Sequence, residues 1–174
     1  AARLLVPEPL DPSTPELRLP VDGDELVGTS IGAIATAFAL PGFDTAVDMG
    51  RCSPLLAEQD TVLLTHCHSD HVAGLVAWLS AHTRRHRGRP TRIVLPAGRR
   101  AALLAALTAW PDLDGVRRRV SLGEVLLPAE AGDRVELGRG AFATAFAVRH
   151  NTVALGWSVH RTAGDRPWVA FAGD

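Results

Sequence analysis

Short apolar runs, several of them rich in β-branched residues, recur along the first half of the chain and predict β-strands. Pro41 and Gly42 separate two of these runs and indicate a hairpin turn. The wholly apolar run from Val62 to Leu64 is typical of a strand that is covered on both faces. The strands predicted in this half cover residues 16–19, 26–30, 35–40, 44–48, 61–64 and 92–96.

Helical spacing replaces the strand pattern shortly after Leu64. The apolar residues between Val72 and Leu79 recur every three or four positions, which predicts a helix that begins near His71. A second helix, rich in alanine and leucine, is predicted over residues 99–110 and is expected to end at Pro111. The remainder is mainly β, and its predicted strands cover residues 116–122, 134–137, 141–148, 155–160 and 168–172. We therefore expect one α+β domain that comprises residues 1–174.

Composition narrows the class of protein. The chain has 174 residues, 47% of them hydrophobic, and a net charge of −1, which predicts a globular protein without bulk attraction to nucleic acid or membrane. Its longest apolar stretch is about half of what a bilayer-spanning helix needs. Cys52 and Cys67 are the only cysteines and form no disulfide framework, although one bridge between them stays an open alternative. The expected location is the cytoplasm.

The candidate chemistry lies where the apolar strand meets the helix. Three histidines and an aspartate occur there with the spacing H-x-H-x-D-H: His66, His68, Asp70 and His71. Imidazole and carboxylate are common metal ligands, and each ion needs about four of them. His66 and His68 flank Cys67 and can hold one ion, whereas Asp70 and His71 could begin a second site. Cys67 is expected to pack away from the ligands.

Further ligands must then come from distant parts of the sequence. His150 and Asp174 both follow apolar strands, and strand ends deliver side chains to clefts. Asp48 also ends a predicted strand, and we expect it to orient a histidine ligand from behind.

These landmarks, in this order, resemble those of the metallo-β-lactamase superfamily. The segment 65–74, THCHSDHVAG, is similar to the superfamily signature, and Asp48, His150 and Asp174 match its other landmark positions. Residues 28–30, Asp60 and the pair 156–157 are similar to the ribonuclease Z-like branch. The resemblance implies an α+β fold, an αβ/βα four-layer sandwich, here without its C-terminal part.

The resemblance also implies a metal centre and a reaction. His66, His68 and His150 would hold one zinc ion, Asp70 and His71 a second, and Asp174 would bridge the two. A metal-bound hydroxide would attack a phosphodiester of RNA or of a small molecule, and Asp70 would act in catalysis by holding or deprotonating it. Manganese and iron are compatible with the same ligands. A homodimer is compatible with the branch, and no membrane partner is expected.

The sequence departs from the branch in two respects. The branch has a last histidine ligand on a later strand, and none of His82, His86 and His160 fits that role well. The interval between His150 and Asp174 also lacks the long arm with which tRNA-processing members grip tRNA. A hydrolase of thioesters, lactones or β-lactams and a non-catalytic metal-binding domain therefore remain alternatives.

A basic run and two tryptophans complete the list of features that need an interpretation. The basic run at residues 84–92 is expected to be a solvated loop, with a phosphate or nucleic-acid contact as the alternative. Trp78 and Trp110, each in a predicted helix, are expected in the core.

Overall fold

The structure is a computed structural model that describes residues 16–86, 88–115, 120–162 and 166–173. Two sheets and five helices make up the fold of these residues. The larger sheet has seven strands in sequence order: β1 (Leu17–Val21), β2 (Asp24–Ile31), β3 (Ala35–Leu40), β4 (Thr45–Val47), β5 (Thr61–Leu63), β6 (Arg92–Pro96) and β7 (Leu126–Ala129). Strands β1 to β4 are antiparallel, and β4 to β7 are parallel.

The smaller sheet is antiparallel and has four strands in the order β11-β10-β9-β8. Its strands are β8 (Arg134–Glu136), β9 (Phe142–Ala147), β10 (Leu155–His160) and β11 (Val169–Phe171). The helices are α1 (Pro54–Ala57), α2 (Ser69–Val72), α3 (Leu75–Arg85), α4 (Arg100–Asp114) and α5 (Leu122–Val125). Short 3-10 turns lie at Pro41–Phe43, Ala97–Arg99 and Gly138–Gly140.

Two apolar clusters hold these elements together. One lies between the helices and the larger sheet, where Trp78 and Leu75 of α3 pack against Val62 and Ile93. The other lies between the two sheets, where Trp157 packs with Leu63 and Val94. Because β5 contributes Val62 to one cluster and Leu63 to the other, it is covered on both faces, as its apolar sequence predicted. The described residues thus form three layers: helices, larger sheet and smaller sheet.

Most of the predicted elements are present. The hairpin predicted around Pro41 and Gly42 is formed by β3 and β4, which pair antiparallel with Leu40 opposite Thr45. Both long helices are found, and Trp78 is fully buried as expected. The helix after the histidine motif is divided at Ala73 and Gly74 into α2 and α3. None of the described helices is both long enough and apolar enough to pass through a bilayer.

The prediction that Pro111 ends its helix was wrong. Helix α4 continues to Asp114 and ends at Gly115, whose left-handed backbone (φ 67°) lets its N–H bond the carbonyl of Pro111. Trp110 is 42% exposed and is not a core residue. The buried row of α4 runs through Leu103 and Leu107, and Pro111 rather than Trp110 continues its four-residue spacing.

The strand predicted over residues 116–122 was also wrong in its described part, since residues 120–122 form no strand. Residues 116–119 lie outside the described residues. Leu122 begins α5, in which the carbonyl of Ser121 accepts the N–H groups of Glu124 and Val125. The strand comes later, as β7, and pairs parallel with β6. Short apolar runs do not distinguish a helical turn from a strand by periodicity, which explains the error.

Candidate metal centre

The candidate residues meet at one edge of the larger sheet. Strands β4 and β5 are parallel, so the segments that follow them emerge side by side at their carboxyl ends. The segment after β4 carries Asp48, and the segment after β5 carries His66 and His68. The loop between β9 and β10 adds His150 from the smaller sheet, since the backbone N–H of Leu155 bonds the carbonyl of Thr65 at 2.8 Å.

Three of the predicted ligands converge on one point. His66 Nε2 lies 3.1 Å from His68 Nδ1, which in turn lies 3.3 Å from His150 Nε2. One ligand atom from each of the three histidines lies within 4.8 Å of the others. His66 is fully buried, while His68 and His150 are partly exposed, so the cluster opens to solvent on one side. An ion and a substrate could therefore reach it.

The Asp48 carboxylate is the hub behind the histidines. It is 2% exposed, and it accepts the Thr65 N–H at 2.8 Å, the Thr65 hydroxyl at 2.8 Å and His71 Nδ1 at 2.8 Å. Thr65 Oγ1 also lies 3.0 Å from His66 Nδ1. Asp48 thus fixes the Nδ1 side of His71 directly and that of His66 through Thr65, so that Nε2 of His66 is directed toward His68 and Nε2 of His71 toward Asp70. The contact expected from the sequence, in which Asp48 orients a histidine from behind, is therefore present at His71.

Burial dominates the electrostatics of Asp48. Removal from water raises the pKa of this carboxyl, and the contacts with His71 and Thr65 oppose that rise. These bonds are charge-assisted in the ionised form, so they offset part of the desolvation penalty.

Asp70 and His71 lie on α2, next to the three-histidine cluster. Asp70 Oδ2 is 3.6 Å from His71 Nε2 and accepts the backbone N–H of Ala33 at 2.9 Å. Ala33 belongs to the turn between β2 and β3 and has a positive φ of 61°. The ring centroids of His66 and His71 are 4.0 Å apart. The structure therefore brings Asp70 and His71 together beside the first three histidines.

Close backbone contacts fix where α2 lies. The N–H of Met49 bonds the carbonyl of His71, and the N–H of Gly74 bonds the carbonyl of Met49, each at 2.8 Å. A Cβ on Gly50 would lie 1.7 Å from the carbonyl oxygen of Asp70, and one on Gly74 would lie 2.5 Å from the carbonyl carbon of Arg51. The segments that follow β4 and β5 can interlock this closely only because both positions are glycine.

Asp174 lies outside the described residues. The residue before it does reach the histidine segment: a Cβ built on Gly173 would lie 3.4 Å from Thr65 Oγ1 and 3.7 Å from His66 Nδ1. The chain therefore returns to the candidate centre after β11.

Neither cysteine takes part in a disulfide. Cys67 is partly buried and packs against the cluster beneath the helices, as expected for a residue that points away from the ligands. Burial raises the pKa of its thiol to about 11, and the nearby charge of Arg99 only partly offsets the rise. The thiol stays protonated near neutral pH, which makes it a poor metal ligand.

The basic run lies at the other edge of the sheet. Arg89 bonds Asp60 at 2.9 Å, and Asp60 and Asp44 directly precede β5 and β4 at their amino ends. Arg85 pairs with Glu58 at 3.5 Å. Arg87 lies outside the described residues. These partners within the chain support the structural interpretation of the run, and Asp60 belongs to this cluster rather than to the metal centre.

The other histidines lie away from the centre. His82 is buried, with Nδ1 3.1 Å from the Ala57 carbonyl oxygen and Nε2 3.2 Å from that of Pro90. His86 pairs with Glu58 at 2.8 Å, and His160 stacks on Phe142. Among the described residues, the group that could hold a metal consists of His66, His68 and His150 and includes none of these three.

Sequence reasoning missed two groups of the site, Thr65 and the Ala33 amide. Thr65 lies directly before His66, and a hydroxyl adjacent to a ligand was a readable signal. The Ala33 N–H left no signal, because any residue other than proline supplies an amide and only the folded hairpin brings this one to Asp70.

Replacing Asp48 with asparagine tests the hub. The new side chain could still accept the Thr65 N–H and hydroxyl through its amide oxygen, but its amide nitrogen cannot accept from His71 Nδ1. We expect zinc affinity to fall by roughly 10–100-fold, the usual effect of losing a group that orients ligands. Competition with a chromophoric chelator measures this affinity, and Asp44→Asn, at the opposite edge of the sheet, is the control. Unchanged affinity in Asp48→Asn would contradict the hub.

Comparisons with known proteins agree with this geometry. A family model described as a beta-lactamase superfamily domain matches residues 41–174. The nuclear ribonuclease Z of Triticum aestivum is 28% identical over 143 residues, which are 82% of this chain and 78% of that protein. tRNase Z TRZ1 of Arabidopsis thaliana is 25% identical over 142 residues, 82% of this chain and 49% of the relative.

Solved structures share the fold. A B3 metallo-β-lactamase with an active-site glutamic acid superposes with a TM-score of 0.58 at 20% identity, over 88% of this chain and 59% of that one. The short form of human tRNase Z gives a TM-score of 0.54 at 19% identity, over 90% and 64%. The chain spans less than two thirds of both structures and about half of the Arabidopsis relative.

The metallo-β-lactamase-like fold expected from the sequence is therefore confirmed as a partial fold, in which the described residues form three of the four expected layers. The family match covers most of the chain, and the curated relatives carry the name of one branch. The chain belongs to the metallo-β-lactamase superfamily, and the curated relatives that it matches are named ribonuclease Z and tRNase Z.

Proposed function

We propose that the chain belongs to a zinc-dependent hydrolase that cleaves phosphodiesters. His66, His68 and His150 would hold the first zinc ion, Asp70 and His71 would contribute to a second, and Asp174 would be shared by the two. The observation that carries the proposal is the approach of three ring nitrogens, at 3.1 Å and 3.3 Å, from two separate segments of the chain.

These distances fit zinc. Histidine nitrogens lie about 2.0–2.1 Å from zinc in a tetrahedral site, which places ligand nitrogens roughly 3.3 Å from one another. Three histidines fall one short of a tetrahedral set, so the remaining position would be open to the proposed Asp174 or to water, as in a catalytic rather than a structural site.

The proposed second ion rests on Asp70, His71 and the position of Gly173. His71 Nε2 and Asp70 Oδ2 lie 3.6 Å apart, and the backbone of Gly173 passes beside Thr65 and His66. We propose Asp174 as the shared ligand because it directly follows Gly173 in the sequence. When bound, two zinc ions lower the pKa of water and offset the charge that develops on the attacked and leaving oxygens.

The protein's own groups would hold this centre rigid. Asp48 and Thr65 keep the ring nitrogens of His66 and His71 in the form that leaves Nε2 without a proton. The Ala33 amide holds one oxygen of Asp70 in place. Asp70 is the carboxylate that we propose as the catalytic residue, since it lies beside the cleft and can hold or accept a proton from the attacking water.

The phosphodiester is the proposed substrate because the curated relatives are named ribonuclease Z and tRNase Z. Both RNA and small-molecule phosphodiesters contain the same reacting group. Hydrolysis of thioesters, lactones or β-lactams is the second candidate, favoured by the fold shared with a B3 metallo-β-lactamase. Metal binding without catalysis is the third. Manganese or iron in place of zinc, a homodimer and the cytoplasmic location stay predictions.

Metal content and a substrate panel test the proposal. The full-length protein should contain about two zinc ions per chain by elemental analysis, and it should hydrolyse bis(p-nitrophenyl) phosphate and an RNA with a 3′ extension. Chelation should abolish both activities, and added zinc should restore them. A zinc-loaded protein that ignores both phosphodiesters but cleaves a thioester, a lactone or a β-lactam would overturn the phosphodiesterase assignment. A zinc-loaded protein without any of these activities would support the non-catalytic alternative.

A further inference from the structure

His150 is the one proposed first-site ligand that does not come from the segment after β5. It lies in the loop of residues 148–154, between β9 and β10, and its neighbours Arg149 and Asn151 are both exposed. The loop joins the larger sheet by one backbone bond at its far end, from Leu155 to Thr65. A bond at the end of an exposed loop does not fix the His150 ring in its middle. Other contacts to the middle of the loop are therefore needed to hold this ring.

Arg99 reaches the middle of this loop. It ends the 3-10 turn that follows β6, at the same edge of the larger sheet as the histidine segment. Its Nη2 donates to Thr152 Oγ1 at 2.7 Å, two residues beyond His150. Next to it, the backbone of Gly98 packs against Val153, whose Cγ2 would lie 3.5 Å from a Cβ at position 98. The turn after β6 therefore contacts two consecutive residues of the loop.

Among the described residues, Thr152 is the hydrogen-bond partner of the Arg99 guanidinium. Nε of Arg99 is buried and has no hydrogen-bond partner among the described residues. The guanidinium is thus bonded to the His150 loop from the turn after β6, and β6 pairs parallel with β5, the strand before the histidine segment.

We infer that Arg99 is a positioning residue of the metal centre, which sets the distance of His150 from His66 and His68 by holding Thr152. The inference rests on the proposed zinc site. Arg99 touches neither ligand nitrogen nor substrate, so its effect is on the geometry of the third ligand. Because a metal site tolerates little misplacement of its ligands, loosening the loop should weaken zinc binding without removing a ligand.

The loss of a positive charge and the loss of the bond to Thr152 predict opposite effects of Arg99→Gln on zinc affinity. Arg99→Gln removes a positive charge near a cation site, and that change alone should strengthen zinc binding. Loss of the bond to Thr152 should weaken it. Thr152→Val removes the same bond from the other side, keeps the shape of the side chain and changes no charge. If the bond is what matters, both variants should bind zinc about tenfold more weakly, and the double variant no more weakly than either single one.

Arg100→Gln is the matched control. Arg100 is the next residue, and it makes two hydrogen bonds of its own, to the carbonyls of Leu126 at 2.9 Å and Gly123 at 2.8 Å. These bonds tie α4 to α5 and β7 rather than to the His150 loop. The control should lose conformational stability and keep wild-type zinc affinity.

The experiment measures zinc dissociation constants of full-length variants by chelator competition, and the free energy of unfolding of each protein without zinc. Weaker zinc binding in Arg99→Gln and Thr152→Val than in Arg100→Gln, without a matching difference in zinc-free stability, supports the positioning role. Equal zinc affinity in wild type and both variants would overturn it while leaving the proposed function intact. A wild-type protein that binds no zinc would overturn the proposed metal centre and this inference with it.

Discussion

Replacing His68 with alanine is expected to remove most of the bound zinc and, with it, the hydrolytic activity. His68 Nδ1 is the atom that both other histidines approach, at 3.1 Å and 3.3 Å, so its loss leaves only two of the three proposed ligands, His66 and His150. Two ligands hold zinc far less tightly than three. We expect affinity to fall by more than about 100-fold, above the usual cost of losing a group that only orients ligands.

Elemental analysis of the purified variant and chelator competition measure the effect. His86→Ala is the matched control, because it removes an imidazole that pairs with Glu58 away from the centre. It should keep wild-type zinc content and lose at most about 1 kcal/mol of stability. Near-normal zinc content in His68→Ala would refute the ligand assignment.

Replacing Gly50 with alanine is expected to have a comparably large effect on stability. The added Cβ would lie 1.7 Å from the Asp70 carbonyl oxygen and 2.7 Å from the backbone nitrogen of Thr36. Both neighbours are backbone atoms, so no side-chain rotation relieves the overlap. Either the segment after β4 or α2 must move. The expected destabilisation is about 3 kcal/mol, the upper end of the usual range for overpacking.

Chemical denaturation of Gly50→Ala and wild type without zinc measures the loss. Gly123→Ala is the control, since a Cβ there would meet only Ser121 Oγ at 3.8 Å. In the short helix α5 that change should be neutral or stabilising by up to about 1 kcal/mol. Because α2 carries Asp70 and His71, the surviving folded fraction of Gly50→Ala should also bind less of the second zinc. Wild-type stability in this variant would show that the close approach is not needed.

The sequence allowed the strands next to the centre to be predicted because burial there leaves a direct pattern. Strand β5 is apolar on both faces, and the histidines follow it almost at once. The motif spacing grouped His66 with His68, the strand end made His150 a candidate, and the resemblance to the superfamily implied that these three histidines meet. That Asp70, His71 and Asp174 bind metal stays a prediction. The assignment of residues 1–174 to a single domain also stays a prediction.

What could not be predicted depends on backbone geometry or on tertiary packing. Pro111 was expected to end α4, but the helix continues past it to Asp114 and ends at Gly115, whose backbone is left-handed. The apolar residues around Leu122 fit a helical turn as well as a strand, and only pairing with β6 shows where β7 begins. The bond from Arg99 to Thr152 joins residues 53 apart, a distance at which no local pattern carries information.

The origin of the ligands in two different sheets has a consequence for the apoprotein. His68 and His150 are 82 residues apart in the chain, so an ion held between them would act as a clip that closes a long loop. An ion that binds only the folded chain would add mass-action stability of about 2.7 kcal/mol when free zinc is roughly a hundred times its dissociation constant. The melting temperature of the protein would then rise and fall with the zinc concentration around it, quite apart from any substrate.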